Sequence, residues 1–250
     1  MRPRELPYPG NPDYGSGLCR RLIRVTGMPG VVEAHLADNF HEMRCRILHD
    51  GSVVTAIYGT AIRVPTSACP AATAVLQELE GIAINVPAAD LYSGGQAQKH
   101  CTHLYDLAVL AIRHASLGLH DTHYEAIVPD EGDQPVTLTI SRNGAICHSW
   151  NVQNGSIQLP ASLRGKTLDK GFAAWATRSF TDAEIFEAAS ILARTWLISI
   201  GRRYRMEMAA GEPIAGNSEM LGRCFAYDAT RAELARYSLG NSRSSSEIKV

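Results

Sequence analysis

The sequence predicts an α+β fold in which antiparallel β-meanders pack on a long central helix, with additional helices outside. Apolar and polar residues alternate over residues 31–40 and 43–48, a pattern typical of half-buried strands. Asn143-Gly144 separates two further strand-like runs and is a strong hairpin signal. The apolar run at residues 107–112 has the density expected of a buried helix. Together these patterns indicate two meanders and one helix between them.

Turn and cap residues predict a single domain over residues 18–239. A Pro/Gly-rich arm at 1–17 precedes this domain, and a flexible Ser-rich tail at 240–250 follows it. Capping at Thr181-Asp182-Ala183-Glu184 predicts the start of a long helix, and a short helix follows Thr230. The predicted strands lie at 18–26, 31–40, 43–48, 53–64, 82–86, 124–128, 136–141, 145–151 and 156–159. A helix is predicted at 70–80, a loop at 88–99, and a central helix ending near Gly118.

Composition excludes several classes of protein. The formal net charge is −1 with no basic block, so we expect no nucleic-acid partner. No apolar run approaches the ~20 residues that span a bilayer, and the first residues lack the apolar core of a signal peptide, so we expect a cytoplasmic protein without a membrane partner. The six cysteines form no CxxC pair and are expected to be reduced. A Pro-rich arm loses little entropy when it is ordered against the domain or a second subunit, which makes a homodimer one expectation.

The segment from His100 to Asp106 concentrates two imidazoles, a thiol, a hydroxyl, a phenol and a carboxylate immediately before the apolar run. On a helix, His103 and Asp106 share one side with the apolar residues that follow them. The start of a helix carries unpaired N–H groups and partial positive charge, which disfavours a charged imidazole. His103 is therefore the leading candidate for a catalytic base, although a core histidine bonded to backbone would give the same pattern.

The first meander adds further polar candidates. Glu33 and His35 are two residues apart and share one face of a strand, whereas Asp38 is on that face only if the strand ends or bulges. Inward polar groups indicate a ligand pocket, but an exposed sheet face produces the same pattern. His41 lies beside a turn and is expected to be exposed.

Aromatic residues cluster late in the chain. Trp150 lies in a predicted strand, and Phe172 and Trp175 lie in a predicted loop before the capped helix. They either belong to the core or line a flat apolar pocket for a small aromatic substrate.

Standard cofactor and metal motifs are absent from the sequence. There is no HExxH, GxSxG, Walker loop or GxGxxG before a helix, and no local pair of metal ligands with standard spacing. We therefore expect acid–base chemistry with no cofactor and no metal. A metal-assisted hydrolase or lyase built on His35, Asp38 and His103 is the first alternative. A non-catalytic protein that binds small molecules is the second.

Four motifs carry a resemblance over roughly residues 18–205: Val32-Glu33-Ala34-His35-Leu36-Ala37-Asp38, Cys69-Pro70, Leu79-Glu80-Gly81-Ile82 and Cys101-Thr102-His103-Leu104. In this order they resemble a bacterial family catalogued as a domain of unknown function. One branch of it comprises lyases that remove the γ-carbon of lignin-derived phenylcoumaran dimers as formaldehyde and leave a stilbene. The resemblance implies a role in bacterial catabolism of aromatic compounds.

These observations assign provisional roles to the candidate residues. His103 is the predicted base, oriented by Asp38 or Asp106, and His35 or Tyr105 is the predicted acid. The predicted substrate-binding residues are Glu33, Cys101, Thr102, Trp150, Phe172 and Trp175. Cys101 and Thr102 are expected to shape the start of the helix rather than to attack the substrate.

Overall fold

Eight antiparallel strands form one sheet in the computed structural model, which describes residues 6–92 and 99–250. The strands are β1 Leu18–Met28, β2 Val31–Ala37, β3 Glu42–His49, β4 Val54–Arg63, β5 His120–Pro129, β6 Val136–Arg142, β7 Ala145–Gln153 and β8 Ser156–Leu159. Both predicted meanders are present. The sequence did not predict that they join into one sheet of order β4-β3-β2-β1-β5-β6-β7-β8, because that joint is the long-range pairing of β1 with β5.

Helices cover one face of this sheet. The α-helices are α1 Ala88–Leu91, α2 Thr102–His114, α3 Phe172–Ser179, α4 Ala183–Ser199 and α5 Ala229–Leu234. The 3-10 segments are Cys69–Leu79, Ala115–Leu117, Ala161–Leu163, Ile200–Arg203, Met206–Ala209, Ile214–Gly216, Ser218–Met220, Phe225–Tyr227 and Ser245–Glu247. Helix α2 packs on β1, β2 and β3, and α4 packs on β1, β5, β6 and β7. The α+β prediction is confirmed, and β1 is the strand that both long helices share.

Strand periodicity decides which side chains enter the core. Along β1, Cys19, Arg21, Ile23 and Val25 are buried, and the residues between them are more exposed. The alternation places one arginine in the middle of an apolar face. Because its neighbours on that face are apolar, the arginine needs a partner within the fold.

The hairpin predicted at Asn143-Gly144 is confirmed, and a second Asn-Gly hairpin forms at Asn154-Gly155. Asn143 and Gly144 have φ values of 51° and 82°, and Asn154 and Gly155 have values of 49° and 70°. Positive φ at both central residues defines the turn whose twist matches two-residue hairpins. Asn143 is further fixed because its Oδ1 accepts the His123 amide at 2.8 Å.

Several local predictions need correction. Asp182, not Thr181, is the N-cap of α4, because its carboxylate accepts the amides of Glu184 at 2.9 Å and Ile185 at 3.0 Å. Residues 82–86 form only a single bridge, Val53 to Ala83, instead of a strand. The helix predicted at 70–80 is a 3-10 helix, Cys69–Leu79.

Helix α3 replaces the loop predicted around Phe172. Gly171, at φ 80°, supplies the left-handed residue from which α3 starts. The alanine-rich sequence that follows has high helix propensity, which sequence periodicity alone did not reveal.

The described part of the arm and the segment 240–250 both pack on the domain. The Asn11 amide donates to the Arg203 carbonyl at 2.8 Å, which holds the arm beside the end of α4. In the Ser-rich segment 240–250, predicted to be a flexible tail, Asn241 and Ile248 are buried, and a capping box forms at Ser244. Residues 1–5 of the predicted arm and 93–98 of the predicted loop lie outside the described residues. In the part of the chain that the structure describes, no helix has the length and apolar character needed to cross a membrane.

Gly27 permits the close approach of β1 to the end of the 3-10 segment after α2. A Cβ at this position would lie 2.3 Å from the Gly118 carbonyl oxygen and 2.3 Å from His120 Nδ1. We expect Gly27→Ala to lower the free energy of unfolding by about 1–3 kcal/mol, because backbone cannot yield as a side chain can. Urea unfolding measures this. Gly132→Ala is the control because no atom lies within 4 Å of its added Cβ; equal stability of the two variants would contradict the prediction.

Candidate active site

A cavity of about 300 Å³ lies between α2, α4 and the inner face of the sheet. Its wall is mainly apolar, with polar side chains at separate points. The apolar lining includes Ile23, Leu36, Leu107, Leu110, Leu168, Phe172, Phe186, Ile191 and Leu197, and the charged lining is Arg21, Asp106, Arg113, Asp169, Glu187 and Arg194. Ligand pockets are typically roughly 300–1,000 Å³ and are built in this way, so this cavity is the candidate active site.

Asp38 is the most heavily bonded carboxylate beside the cavity. Its Oδ2 accepts Arg21 Nε at 3.1 Å and Nη2 at 2.6 Å, while its Oδ1 accepts the amides of Phe40 and His41, each at 2.9 Å. Burial alone would raise the pKa of Asp38, but His41 and Arg21 outweigh it and hold that pKa well below its ordinary value. Asp38 is therefore an anion that fixes the turn between β2 and β3.

His41 is oriented by this carboxylate. Its Nδ1 lies 3.0 Å from Asp38 Oδ1, and because Asp38 is ionised, Nδ1 carries the proton and donates it. The unprotonated lone pair is then on Nε2 when the ring is neutral. His41 is 7% exposed, so the expectation that it would be solvent-exposed is wrong. The turn is folded inward over Asp38.

His103 stacks on His41 with ring centroids 4.0 Å apart and an interplanar angle of 23°. Desolvation, His41 and Arg21 hold the pKa of His103 well below its ordinary value. Its ring is therefore neutral at neutral pH. Thr102 Oγ1 lies 3.5 Å from its Nδ1, and within the described residues no hydrogen bond is formed by its Nε2. His103 thus retains a free imidazole nitrogen.

The position of His103 on α2 relates it to the cavity. Asp106 and Leu107, three and four residues later, both line the cavity, as does Leu110 at seven. Residues at these offsets lie on one face of a helix. His103 is therefore one helical turn before these lining residues, and it is not itself among the residues that line the cavity.

A second charged group lies on the cavity wall. Arg194 Nε donates to Asp106 Oδ2 at 2.7 Å, and the Tyr92 hydroxyl donates to Asp106 Oδ1 at 2.9 Å. Asp106 raises the pKa of Arg194, and burial and Asp106 raise that of Tyr92 well above its ordinary value. Arg194 Nη1 has no bonded acceptor among the described residues, so this guanidinium has donors left for a ligand.

Glu187 lines the cavity and begins a chain of hydrogen bonds leading away from it. Its Oε1 lies 3.0 Å from His114 Nε2, and His114 Nδ1 lies 2.9 Å from His120 Nε2. The Gly118 carbonyl only accepts, so His120 Nδ1 donates to it at 2.8 Å. Burial would raise the pKa of Glu187, but His114 and Arg113 lower it overall. Because the Glu187 carboxylate is ionised, His114 Nε2 carries the proton of this contact and donates it to Glu187 Oε1.

The remaining predicted site residues fall into different places. Glu33 and His35 lie on the opposite face of the sheet, where His35 Nε2 contacts Glu42 Oε1 at 3.3 Å. Asp38 bonds His41 rather than His103, and Asp106 bonds Arg194 and Tyr92. The structure therefore separates His35 from His103 by the thickness of the sheet, because the strand period sends Ala34 and Leu36 inward instead.

Tyr105, the other predicted acid, points away from the cavity lining. Its hydroxyl donates to the Leu91 carbonyl, and burial and Asp106 raise its pKa. Cys101 is the N-cap of α2 with no side-chain cap bond, and burial raises the pKa of its thiol. Thr102 Oγ1 lies 3.5 Å from His103 Nδ1.

The predicted aromatic residues are divided between core and cavity. Trp150 is 1% exposed and packs with Trp175 and Phe180 beneath β7. Trp175 Nε1 donates to the Thr167 carbonyl at 2.9 Å. Phe172 alone of the three predicted aromatic ligand contacts lines the cavity.

Sequence reasoning missed Arg21, His41 and Arg194. A detectable signal existed for Arg21, because it interrupts the inward-facing series Cys19, Ile23 and Val25 at a core position. Arg194 similarly lies within the apolar helical pattern of α4. Neither arginine is close in sequence to the motifs that contain the candidate residues.

The metal alternative required His35, Asp38 and His103 to meet. The sheet separates the first from the others, and over residues 6–92 and 99–250 no three His, Cys, Asp or Glu side chains are grouped to hold a metal ion. All six cysteines are free thiols.

Comparison with known families bears on the first half of the fold. A family model described as a protein of unknown function, DUF2889, matches residues 26–116. The matched segment is similar to this family over somewhat more than a third of the chain. It covers the segment from the end of β1 through α2, and therefore Asp38, His41, His103 and Asp106, whereas Arg21 and Arg194 lie outside it. No curated protein matches the chain significantly.

The depressed pKa of His103 predicts a pH-dependent stability. Below the unfolded-state pKa of about 6.5 the unfolded chain binds a proton that the folded ring resists, so stability falls as pH decreases from 7 to 5. We expect His103→Gln to make the free energy of unfolding depend less on pH over this range. Each unit by which folding lowers the pKa of His103 corresponds to about 1.4 kcal/mol of that dependence. Urea unfolding at several pH values measures it. His123→Gln, on the exposed face, is the control. If the stability of His103→Gln depended on pH as strongly as that of the wild type, the prediction would be contradicted.

Proposed function

We propose that the protein is a carbon–carbon lyase that releases formaldehyde from a phenylcoumaran-type aromatic dimer by cofactor-independent acid–base chemistry. The observation that carries this proposal is the His103 ring, which is stacked on the carboxylate-held His41 one helical turn from residues that line an apolar cavity. A neutral imidazole with a free nitrogen is suited to general-base catalysis. The resemblance of the Cys101-Thr102-His103-Leu104 motif supplies the substrate class.

The proposed reaction needs no oxidant or reductant. His103 accepts the proton of the γ-hydroxyl group, the Cβ–Cγ bond breaks, and the γ-carbon leaves as formaldehyde. The electron pair forms the Cα=Cβ bond while the Cα–O bond of the dihydrofuran ring opens. The product is a stilbene phenoxide, which takes one proton from water, and His103 returns one proton to water.

Arg194 has the properties needed to stabilise the phenoxide. Its guanidinium lines the cavity, Asp106 holds it through Nε, and Nη1 is available to an anion. Charge-assisted hydrogen bonds to a developing oxyanion are among the largest contributions to catalysis. This proposal replaces His35 and Tyr105 as the groups that serve the leaving oxygen, and it gives Asp106 a positioning role.

Replacing the base tests the chemistry. We expect His103→Gln to reduce formaldehyde release from a phenylcoumaran dimer by about 10²–10⁴-fold, because general-base assistance is lost. Formaldehyde and stilbene are quantified together, and circular dichroism establishes that the variant is folded. His123→Gln is expected to retain wild-type turnover. Full activity in His103→Gln would remove this residue from the mechanism.

Replacing Arg194 tests the leaving-group role. We expect Arg194→Gln to lower kcat by about 10²–10³-fold with a smaller effect on KM, because a stabilising donor acts mainly in the transition state. Arg46→Gln, an exposed arginine on the opposite face, is the matched control. A change confined to KM would show that Arg194 contributes only to binding.

The two alternatives predict different outcomes from the same assay. A metal-assisted enzyme would lose turnover with chelator, whereas acid–base catalysis by His103 is insensitive to it. A non-catalytic binding protein would bind the dimer without releasing formaldehyde. Running the assay with and without chelator, and measuring binding in parallel, therefore separates all three.

A further inference from the structure

Arg21 is a buried cation with unused donors. Arg21 is 2% exposed and lies at a core position of β1. Cys19 and Ile23 are its neighbours among the residues of this strand that face the core. Of its five N–H groups, Nε donates one and Nη2 one, both to Asp38 Oδ2. Among the described residues nothing accepts from Nη1. The edge formed by Nη1 and the second Nη2 hydrogen is therefore unoccupied by protein.

Arg21 itself lines the cavity, beside Ile23 and Leu36 from the same face of the sheet. An unbonded guanidinium donor surrounded by apolar groups costs free energy unless an acceptor reaches it. The cavity is the space from which such an acceptor can come.

Asp38 does not satisfy this edge. Its two oxygens already accept five hydrogen bonds, three of them from the Phe40 and His41 amides and the His41 ring. The carboxylate lies on the far side of the guanidinium, toward the β2–β3 turn, and is absent from the cavity lining. At this point the cavity is therefore lined by Arg21 and not by the Asp38 carboxylate.

We propose that Arg21 binds a carboxylate group on the ligand, so that the substrate is a phenylcoumaran-type dimer that carries a carboxylate in addition to the γ-hydroxyl group that the lyase chemistry requires. Two parallel N–H donors on one guanidinium edge match the two oxygens of a carboxylate. The apolar wall accepts the aromatic frame. This inference deepens the proposed function and rests on it for the aromatic class of the ligand.

A non-reactive probe tests the site separately from the lyase chemistry. The probe is 4-hydroxy-3-methoxycinnamate, compared with its amide, which has nearly the same shape and no charge. Neither can release formaldehyde, because neither has a γ-hydroxymethyl group beside a dihydrofuran ring. Calorimetry on the full chain is expected to show the acid binding at least ten-fold more tightly than the amide, a preference that a buried charge-assisted pair can supply.

Variants assign the preference to Arg21. Arg21→Lys keeps a cation opposite Asp38 but has no second donor edge, and it is expected to lose most of the preference for the acid. Arg46→Lys, on the exposed face, is expected to retain it. The wild-type comparison requires no variant and so remains decisive even where Arg21→Lys fails to fold.

Three results would overturn the inference. They are equal affinity of acid and amide in wild type, no binding of either at millimolar concentration, and an unchanged preference in folded Arg21→Lys. Formaldehyde release from a neutral dimer combined with any of these would leave the lyase proposal standing and the carboxylate site refuted. Binding of the acid without formaldehyde release from any dimer would do the reverse.

Discussion

The buried pairing of Arg21 with Asp38 is the interaction on which the site depends. Neither charge could be buried alone, because a desolvated ion without a partner costs several kcal/mol. The pair joins β1 to the turn after β2, and the same carboxylate holds the amides of that turn and the His41 ring. The position of His41, and through the ring stack that of His103, follows from where this pair lies.

Strand β1 gives the pair its setting. It pairs with β2 on one side and β5 on the other, so it connects the two meanders, and both long helices pack across it. The cavity is lined by residues of α2, of α4 and of this strand. Residues far apart in sequence, such as Asp106 and Arg194, meet there because each helix contributes one wall. A site of this kind is a property of the whole sheet rather than of any one motif.

Local patterns predicted the elements better than they predicted the site. The Asn143-Gly144 turn and the long helix near Asp182 follow from turn and cap chemistry that acts within a few residues. The pairing of β1 with β5 and the inward turn at His41 depend on contacts between distant segments, which a single sequence does not encode locally. His35 illustrates the difference: strand periodicity put it on one face with Glu33, but only the packing of α2 decides which face is buried.

The charges around the cavity link the binding of an acidic ligand to the pKa of His103. Arg21 contributes to the low pKa of His103 by placing positive charge near it. A ligand carboxylate on the free edge of Arg21 would offset that charge, and the pKa of His103 would then rise toward its ordinary value. The ring would become a stronger base only once an acidic ligand is in place. Under the proposals made above, an empty site keeps His103 neutral and weakly basic, whereas an occupied one strengthens the proposed base.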